Sequence, residues 1–373
     1  MKIAVILGTR PEIIKMSPVI RELQAANASF CIVHTGQHYA KELDLVFFEQ
    51  LRLPPPSYNL EVGSGSHAEQ TARILARCER ALVKERPDIV LVEGDTNSVL
   101  AGALAAAKLH IPVGHVEAGL RSYDRRMPEE INRVLTDHCS DFLFAPTARS
   151  RAILRGEGIP EEKIFITGNT IVDAVRQNLE LSRGRHGILG SLGTRPQGFF
   201  LATVHRQENV DDRRRFASIL QGLRDIAAEY GCPVVYPVHP RSRKRLAESG
   251  YTADDGLRLI DPVDYLDFLK LEASARLILT DSGGVQEEAC ILGIPCVTLR
   301  DNTERPETIE AGANMLAGVS PGEIRLAAAA MLRKDSRWEN PFGAGDAAQR
   351  ILRICNAATG RALAPSGVRQ SPG

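Results

Sequence analysis

At 373 residues the chain exceeds what one ordinary core supports, since single cores rarely grow past about 250–300 residues, so two domains are expected. Lys and Arg number 46 against 46 Asp and Glu, in a chain that is 43% hydrophobic and 25% charged; this balance argues against a polyanion-binding surface, hence against a nucleic-acid partner, and against a disordered acidic chain. Seven scattered cysteines without a C-x-x-C pair point to reduced thiols in a cytoplasmic protein rather than to disulfides or zinc, and the lack of any apolar run of about 18 residues sets a membrane partner aside.

Short aliphatic runs alternate with longer helical patterns from the start of the chain. Strands are predicted at 2–7, 31–35, 88–92, 112–115, 142–145 and 164–167, several of them apolar without alternation, as in a parallel sheet covered by helices on both faces. Clustered Gly, Arg and Pro over 183–196 have no apolar period and read as a linker or exposed loop near a domain boundary. A second series follows, with strands at 199–204, 234–237, 257–260, 277–280 and 296–299 and helices over 211–229 and 285–292. The expected fold class is α/β, with Rossmann-like domains at 1–170 and 171–355 and a tail at 356–373 that is frayed from Arg361 onward.

Ligands of open parallel sheets bind beyond the carboxyl ends of the strands, and the unusual residues of this chain cluster there. Gly8-Thr9-Arg10-Pro11-Glu12 follows the first strand, with Lys15 one turn into the next helix; the two cations can meet phosphate oxygens at the helix start, or simply be solvated beside a capped turn. The pattern is not G-x-G-x-x-G, so a dinucleotide cofactor is unsupported. Val92-Glu93-Gly94-Asp95 ends another strand, and Asp95 reads either as a helix cap or as an acid/base carboxylate. Glu117, after Gly114-His115-Val116, and the pair Glu129-Glu130, behind Pro128, add carboxylates at further junctions, where each alone could merely complement a helix dipole. Together they point to proton transfer at carbon, because neighbouring carboxylates raise one another's pKa towards that of a useful base.

In the second half, His205-Arg206-Gln207-Glu208-Asn209 forms a polar strand end suited to substrate contact, whereas His239 reads as part of a turn. Asp281-Ser282-Gly283-Gly284 opens a helix with bare N–H groups and a hydroxyl, a setting for a diphosphate, and Glu288 a turn later can accept from two ribose hydroxyls. Arg305, in the polar loop 300–307, is available to a phosphate or is a surface charge.

Taken in order, Gly8 to Glu12, Val116-Glu-Ala-Gly-Leu-Arg121, Pro128-Glu-Glu130, His205-Arg-x-Glu-Asn209, Asp281-Ser-Gly-Gly284 with Gln286-Glu-Glu288, and Thr303-Glu-Arg-Pro-Glu307 resemble the non-hydrolysing UDP-N-acetylglucosamine 2-epimerases, over residues 3 to about 317. The resemblance implies a GT-B-like pair of Rossmann-like domains with an interdomain active-site cleft, closing by domain rotation. It implies reversible C2 epimerisation of a UDP-N-acetylhexosamine through elimination of UDP to 2-acetamidoglucal, without a cofactor or metal, in a homodimer. It also assigns Asp95, Glu117 and Glu129 to acid/base chemistry, places His205 beside the diphosphate, and matches Arg10, Lys15, Ser282, Gly283, Gly284, Glu288 and Arg305 to UDP-binding positions, with Arg206 and Asn209 taken as further substrate contacts. Thr35-Gly36-Gln37-His38 matches part of an activator region known in bacterial members, but Tyr39 and Ala40 depart from it.

Overall fold

The computed structural model describes residues 1–37, 41–185, 187–248, 256–335 and 337–360. By their contacts these fall into two compact units: Met1–Ala174 joined by the segment from Phe342 onward, and Val175–Pro341. The first contains strands β1 (Lys2–Leu7), β2 (Ser29–His34), β3 (Tyr58–Asn59), β4 (Ile89–Glu93), β5 (Val113–Val116), β6 (Phe142–Ala145) and β7 (Ile164–Ile166), in the order β3-β2-β1-β4-β5-β6-β7. The second contains β8 (Phe200–Thr203), β9 (Val234–Pro237), β10 (Leu257–Ile260), β11 (Leu277–Thr280), β12 (Cys296–Thr298) and β13 (Asn314–Leu316), in the order β10-β9-β8-β11-β12-β13.

Every strand pair is parallel, and burial explains why the strands read as unbroken apolar runs. Phe200 and Ala202 join one apolar cluster with Phe216, Leu223 and Tyr236, while Phe199 and Leu201 join another with Leu271, Ile278 and Cys296, so helices cover both faces of the sheet. In the first unit Ala4 and Ile6 pack with Val33, Ile74, Leu82 and Val99 under the helices His67–Glu85 and Asn97–Lys108. The former helix is started by a capping box in which Ser66 and Glu69 exchange backbone-to-side-chain hydrogen bonds.

Chain order reverses between β1 and β4 in one sheet and between β8 and β11 in the other. The carboxyl ends of these strands therefore flank a topological switch point, where a crevice for ligand opens.

Three details depart from the sequence expectation. The edge strands β3 and β13, of two and three residues, are too short to carry a periodic signal. The segment 183–196 contains a helix, Gly187–Ser191, directly after the long helix Thr170–Arg183. The segment from Phe342 to 355, assigned from sequence to the second domain, instead belongs to the first unit. Its helix Ala347–Thr359 packs on the helix Arg10–Ala25 and takes its N-terminal cap from Asp173, which accepts from the N–H groups of Ala347 and Ala348 at 3.3 and 3.1 Å. Residues 361–373, expected to be frayed, lie outside the described residues. No helix among the described residues is long and apolar enough to cross a membrane.

Candidate active site

In the first unit, β1 hands over to the helix Arg10–Ala25 through Gly8 and Thr9. Gly8 is required for space: a Cβ there would lie 2.1 Å from Thr35 Oγ1 and 2.2 Å from Ser98 Oγ. Thr9 makes no capping bond with its side chain; the Glu12 carboxylate folds back instead, accepting from the Gly8 N–H at 2.6 Å and the Thr9 hydroxyl at 3.0 Å. Burial pushes Glu12 up to about 7 despite these bonds. Arg10 is exposed, with its guanidinium 5.2 Å from the centre of the Phe47 ring.

Lys15 turns inward. Its ammonium hydrogen-bonds Glu117 and lies 3.5 Å from Glu93 Oε1, so one cation faces two carboxylates at the ends of the adjacent strands β4 and β5. Both acids are buried, and Asn169 Nδ2 also donates to Glu117, at 3.2 Å. Burial drives Glu93 well above the ordinary carboxylate range; Lys15 opposes that shift, while the charge of Glu117 adds to it. Glu117 adopts a φ of 67°, a left-handed conformation that costs a non-glycine residue energy and is kept only where the surroundings enforce it.

Asp95 lies just beyond β4, past Gly94 at a φ of 87°, and is ion-paired with Arg133. Two anchors fix this turn. Asn132 Nδ2 donates to the Asp95 carbonyl at 2.9 Å, and the His115 ring lies between the Gly94 carbonyl at 2.8 Å and Asp137 Oδ1 at 2.7 Å. Of the acidic pair behind Pro128, Glu130 is buried and accepts from the N–H groups of Ser122 and Tyr123 and from Arg133, whereas Glu129 is exposed on the first turn. Gln37 accepts from Ser98 at 2.7 Å; His38, Tyr39 and Ala40, the rest of the possible activator motif, lie outside the described residues.

In the second unit the organising group is Asp281, fully buried at the end of β11. It accepts from the backbone N–H groups of His205 and Arg206, from Asn209 Nδ2 at 3.1 Å and from His205 Nδ1 at 3.1 Å. Burial alone would raise it, but these hydrogen bonds and the His205 interaction hold it below the usual carboxylate range. With Nδ1 committed to Asp281, the Nε2 atom of the partly exposed His205 is the one left for a ligand. Asn209 is fully buried and also donates to the Leu299 carbonyl, so its side chain braces Asp281 rather than facing a ligand. Arg206 lies 3.5 Å from Glu304, and Arg305 pairs with buried Glu287 at 2.8 Å.

Ser282 caps the helix Gly283–Leu292 without using its hydroxyl as a cap acceptor. A Cβ on Gly283 or Gly284 would meet nothing closer than 3.8 Å, so the protein's own packing does not demand these glycines. A helix that starts on two glycines with open space beside them leaves room for a diphosphate to approach the backbone. Beside them lies a cavity of about 260 Å³ lined mainly by apolar atoms, with His205, Pro237, His239, Val263, Phe268 and Ser282 on its wall. Glu288 is buried in the same helix and accepts from the Tyr265 hydroxyl at 3.0 Å.

The sequence profile of the UDP-N-acetylglucosamine 2-epimerase family matches residues 21–356. The chain belongs to that family. It is 53% identical over 360 residues to the UDP-N-acetylglucosamine 2-epimerase of Methanocaldococcus jannaschii, spanning 95% of this chain and 98% of that one. The crystal structure of the Methanocaldococcus jannaschii UDP-GlcNAc 2-epimerase in complex with UDP-GlcNAc and UDP superposes with a TM-score of 0.86, covering 96% of this chain and 100% of that chain. A relative from Pseudomonas aeruginosa, a UDP-2,3-diacetamido-2,3-dideoxy-D-glucuronate 2-epimerase, is 44% identical over 355 residues, covering 94% of this chain and 98% of its own.

Within this epimerase, four groups near the expected acids escaped the sequence reading as site residues: Glu12, Glu93, Arg133 and Asn169. Glu12 and Glu93 stood inside motifs already singled out, but a motif does not show which of its members turns inward. The base-sized cavity was missed as well, because His239, Val263 and Phe268 lie after β9 and β10 and in the following helix, and none is unusual alone.

Proposed function

We propose that this epimerase interconverts UDP-N-acetylglucosamine and UDP-N-acetylmannosamine by anti elimination and re-addition of UDP. A base removes the C2 proton, the C2–H electrons form the C1=C2 bond, and the C1–O bond breaks with its electrons leaving on UDP. The 2-acetamidoglucal is then protonated at C2 on its other face as UDP returns to C1. The redox balance is zero, so these steps call for proton carriers and a firm hold on UDP.

The observation that carries the reading is the buried, backbone-strained Glu117 paired with Lys15 at a strand's carboxyl end. A carboxylate kept charged and partly desolvated is suited to taking a proton from carbon. Asp95 and Glu129 supply the remaining acid/base groups in this scheme, and His205 stabilises the diphosphate as it departs. The start of the helix Gly283–Leu292 receives the diphosphate, with Arg10, Arg206 and Arg305 as its cations, whereas Lys15 serves Glu117 instead. The apolar cavity takes the uracil, and Glu288 takes the ribose diol.

The same scheme could serve a uronate with a 3-acetamido group, as in the Pseudomonas aeruginosa relative, for which Arg125 and Arg126 are nearby cations. Arg126, however, is bound to Asp124 through both backbone and guanidinium, and the higher identity is to the N-acetylglucosamine enzyme. We place the reaction in the cytoplasm, in keeping with seven free cysteines of which six are buried. We expect a homodimer, for which the exposed Ile131 and Leu135, one turn apart on the helix Pro128–Cys139, offer an apolar face.

The test is to mix the protein with UDP-N-acetylglucosamine in deuterated water and follow the sugar by NMR. UDP-N-acetylmannosamine should appear reversibly with deuterium at C2. Free N-acetylmannosamine as the main product, or epimerisation without isotope uptake, would reject the scheme.

A further inference from the structure

The helix Tyr265–Ser274 carries a carboxylic acid with no cation acting on it among the described residues. Glu272 follows Tyr265 by two helical turns, on the same face, and is fully buried. Neither of its carboxyl oxygens accepts an N–H or O–H from the described residues. Burying a carboxyl under these conditions is tolerable only if it is neutral. The surroundings enforce that state: burial first, then the neighbouring Glu288 carboxylate, push Glu272 well above the ordinary carboxylate range.

The titratable groups that face it are Glu288 from the helix Gly283–Leu292, Tyr265 from its own helix and the Cys296 thiol from β12; the helix Gly187–Ser191, which also packs against this element, has none. None of the charges acting on Glu272 is a cation. An apolar side chain would fill the position at lower cost, but it would supply no hydrogen-bond donor there, as a protonated carboxyl does.

We infer that Glu272 is a positioning residue for nucleotide binding: as the neutral acid it donates to Glu288 and, together with the Tyr265 hydroxyl on Oε1, fixes the Glu288 carboxylate to accept the two hydroxyls of a ribose. The inference rests on the proposed role of Glu288. A carboxylate accepting from two vicinal hydroxyls must present both oxygens in one plane, and two fixed donors behind it restrict its rotation. If Glu272 were ionised, two anions would face each other without a counter-charge, and Glu288 would be driven from that orientation.

The experiment compares UDP with 2′-deoxy-UDP by isothermal titration calorimetry on the full chain, using the wild type, Glu272→Gln, Glu272→Met and Glu288→Gln. Glu272→Gln keeps a donor, and Glu272→Met keeps the bulk without one. The wild type and Glu272→Gln should prefer UDP by about tenfold, the scale of one charge-assisted hydrogen bond, and Glu272→Met should lose most of that preference while still binding the diphosphate. Full preference retained in Glu272→Met overturns the inference.

Should Glu272→Met fail to fold, the pH series decides. Preference should decline at alkaline pH in the wild type, where Glu272 ionises, and stay flat in Glu272→Gln; parallel profiles overturn the inference. Failure of the underlying reading looks different: the wild type would show no preference at all, or Glu288→Gln would leave the preference unchanged.

Discussion

Replacing Lys15 with Met removes the one ammonium seen between Glu117 and Glu93 and keeps most of the apolar stem. The side chains of Glu117 and Glu93 are 5% and 2% exposed and that of Lys15 is 12% exposed, so water screens little of the interaction. Removing one member of such a buried group costs about 3–5 kcal/mol while the remaining charges persist. The two acids can escape by taking up protons, which makes the cost depend on pH. Below the ordinary carboxylate value of 4.5 Glu93 is neutral in both folded and unfolded chains, and the loss of Lys15 costs little. As pH rises from there towards the raised folded value, the folded chain holds protons that the unfolded chain has released, and stability falls. Urea denaturation followed by circular dichroism should therefore show Lys15→Met level with the wild type at acid pH and about 3–5 kcal/mol less stable near neutrality. Turnover should fall about a hundredfold, because the proposed base Glu117 loses the cation that pairs with it. A stability gap that is flat with pH, or below about 1 kcal/mol at neutrality, would refute the view that Lys15 offsets the cost of burying these acids.

Glu117→Gln removes the charge and keeps the bulk, so turnover should nearly vanish while calorimetric UDP affinity stays unchanged; wild-type turnover would exclude Glu117 as an essential proton carrier. Glu12, pushed up to about 7 by burial, adds proton-linked stability that is present below 4.5 and lost as pH rises to 7, worth about 3 kcal/mol at about 1.4 kcal/mol per pH unit. Glu12→Gln should flatten that slope in thermal denaturation across this range, and an unaltered slope would point to another group. Arg10→Ala should weaken UDP binding about tenfold through loss of a charge-assisted contact, an effect that shrinks as salt is added; unchanged affinity would remove Arg10 from the phosphate site.

The strand ends of both sheets were legible because their apolar runs are continuous and their terminal residues are chemically out of place. That is how Asp95, Glu117, His205 and Ser282 stood out. What stayed hidden was direction. Lys15 sits one turn into a helix, where a cation reads as a phosphate ligand, yet tertiary packing turns it onto Glu117 and Glu93. Glu129 and Glu130 are adjacent and chemically alike, and only the path of the 122–123 backbone decides that Glu130 is the one enclosed. Asn209 looked like a contact residue because it is polar at a strand end, but polarity there also serves to brace Asp281. The segment after Phe342 was misassigned because its apolar stripe fits either core, and the cap that ties it to Asp173 is a contact across more than 170 residues.

Both units bury two glutamates side by side, and they neutralise them differently. In the first unit an ammonium does it, which leaves at least one carboxylate charged, as the proposed proton acceptor has to be. In the second, no cation acts on Glu272, and the cheapest neutralising agent is a proton held between the two carboxyls, which converts one acid into a donor. Exchanging the devices would defeat both purposes. In the proposed scheme a proton on Glu117 would block its work as a base, and a lysine beside Glu288 would compete with the ribose hydroxyls for its oxygens. On the proposed roles, the identity of the counter-charge therefore separates the acid assigned to chemistry from the acid assigned to ligand, a distinction that carboxylate count and burial alone do not make.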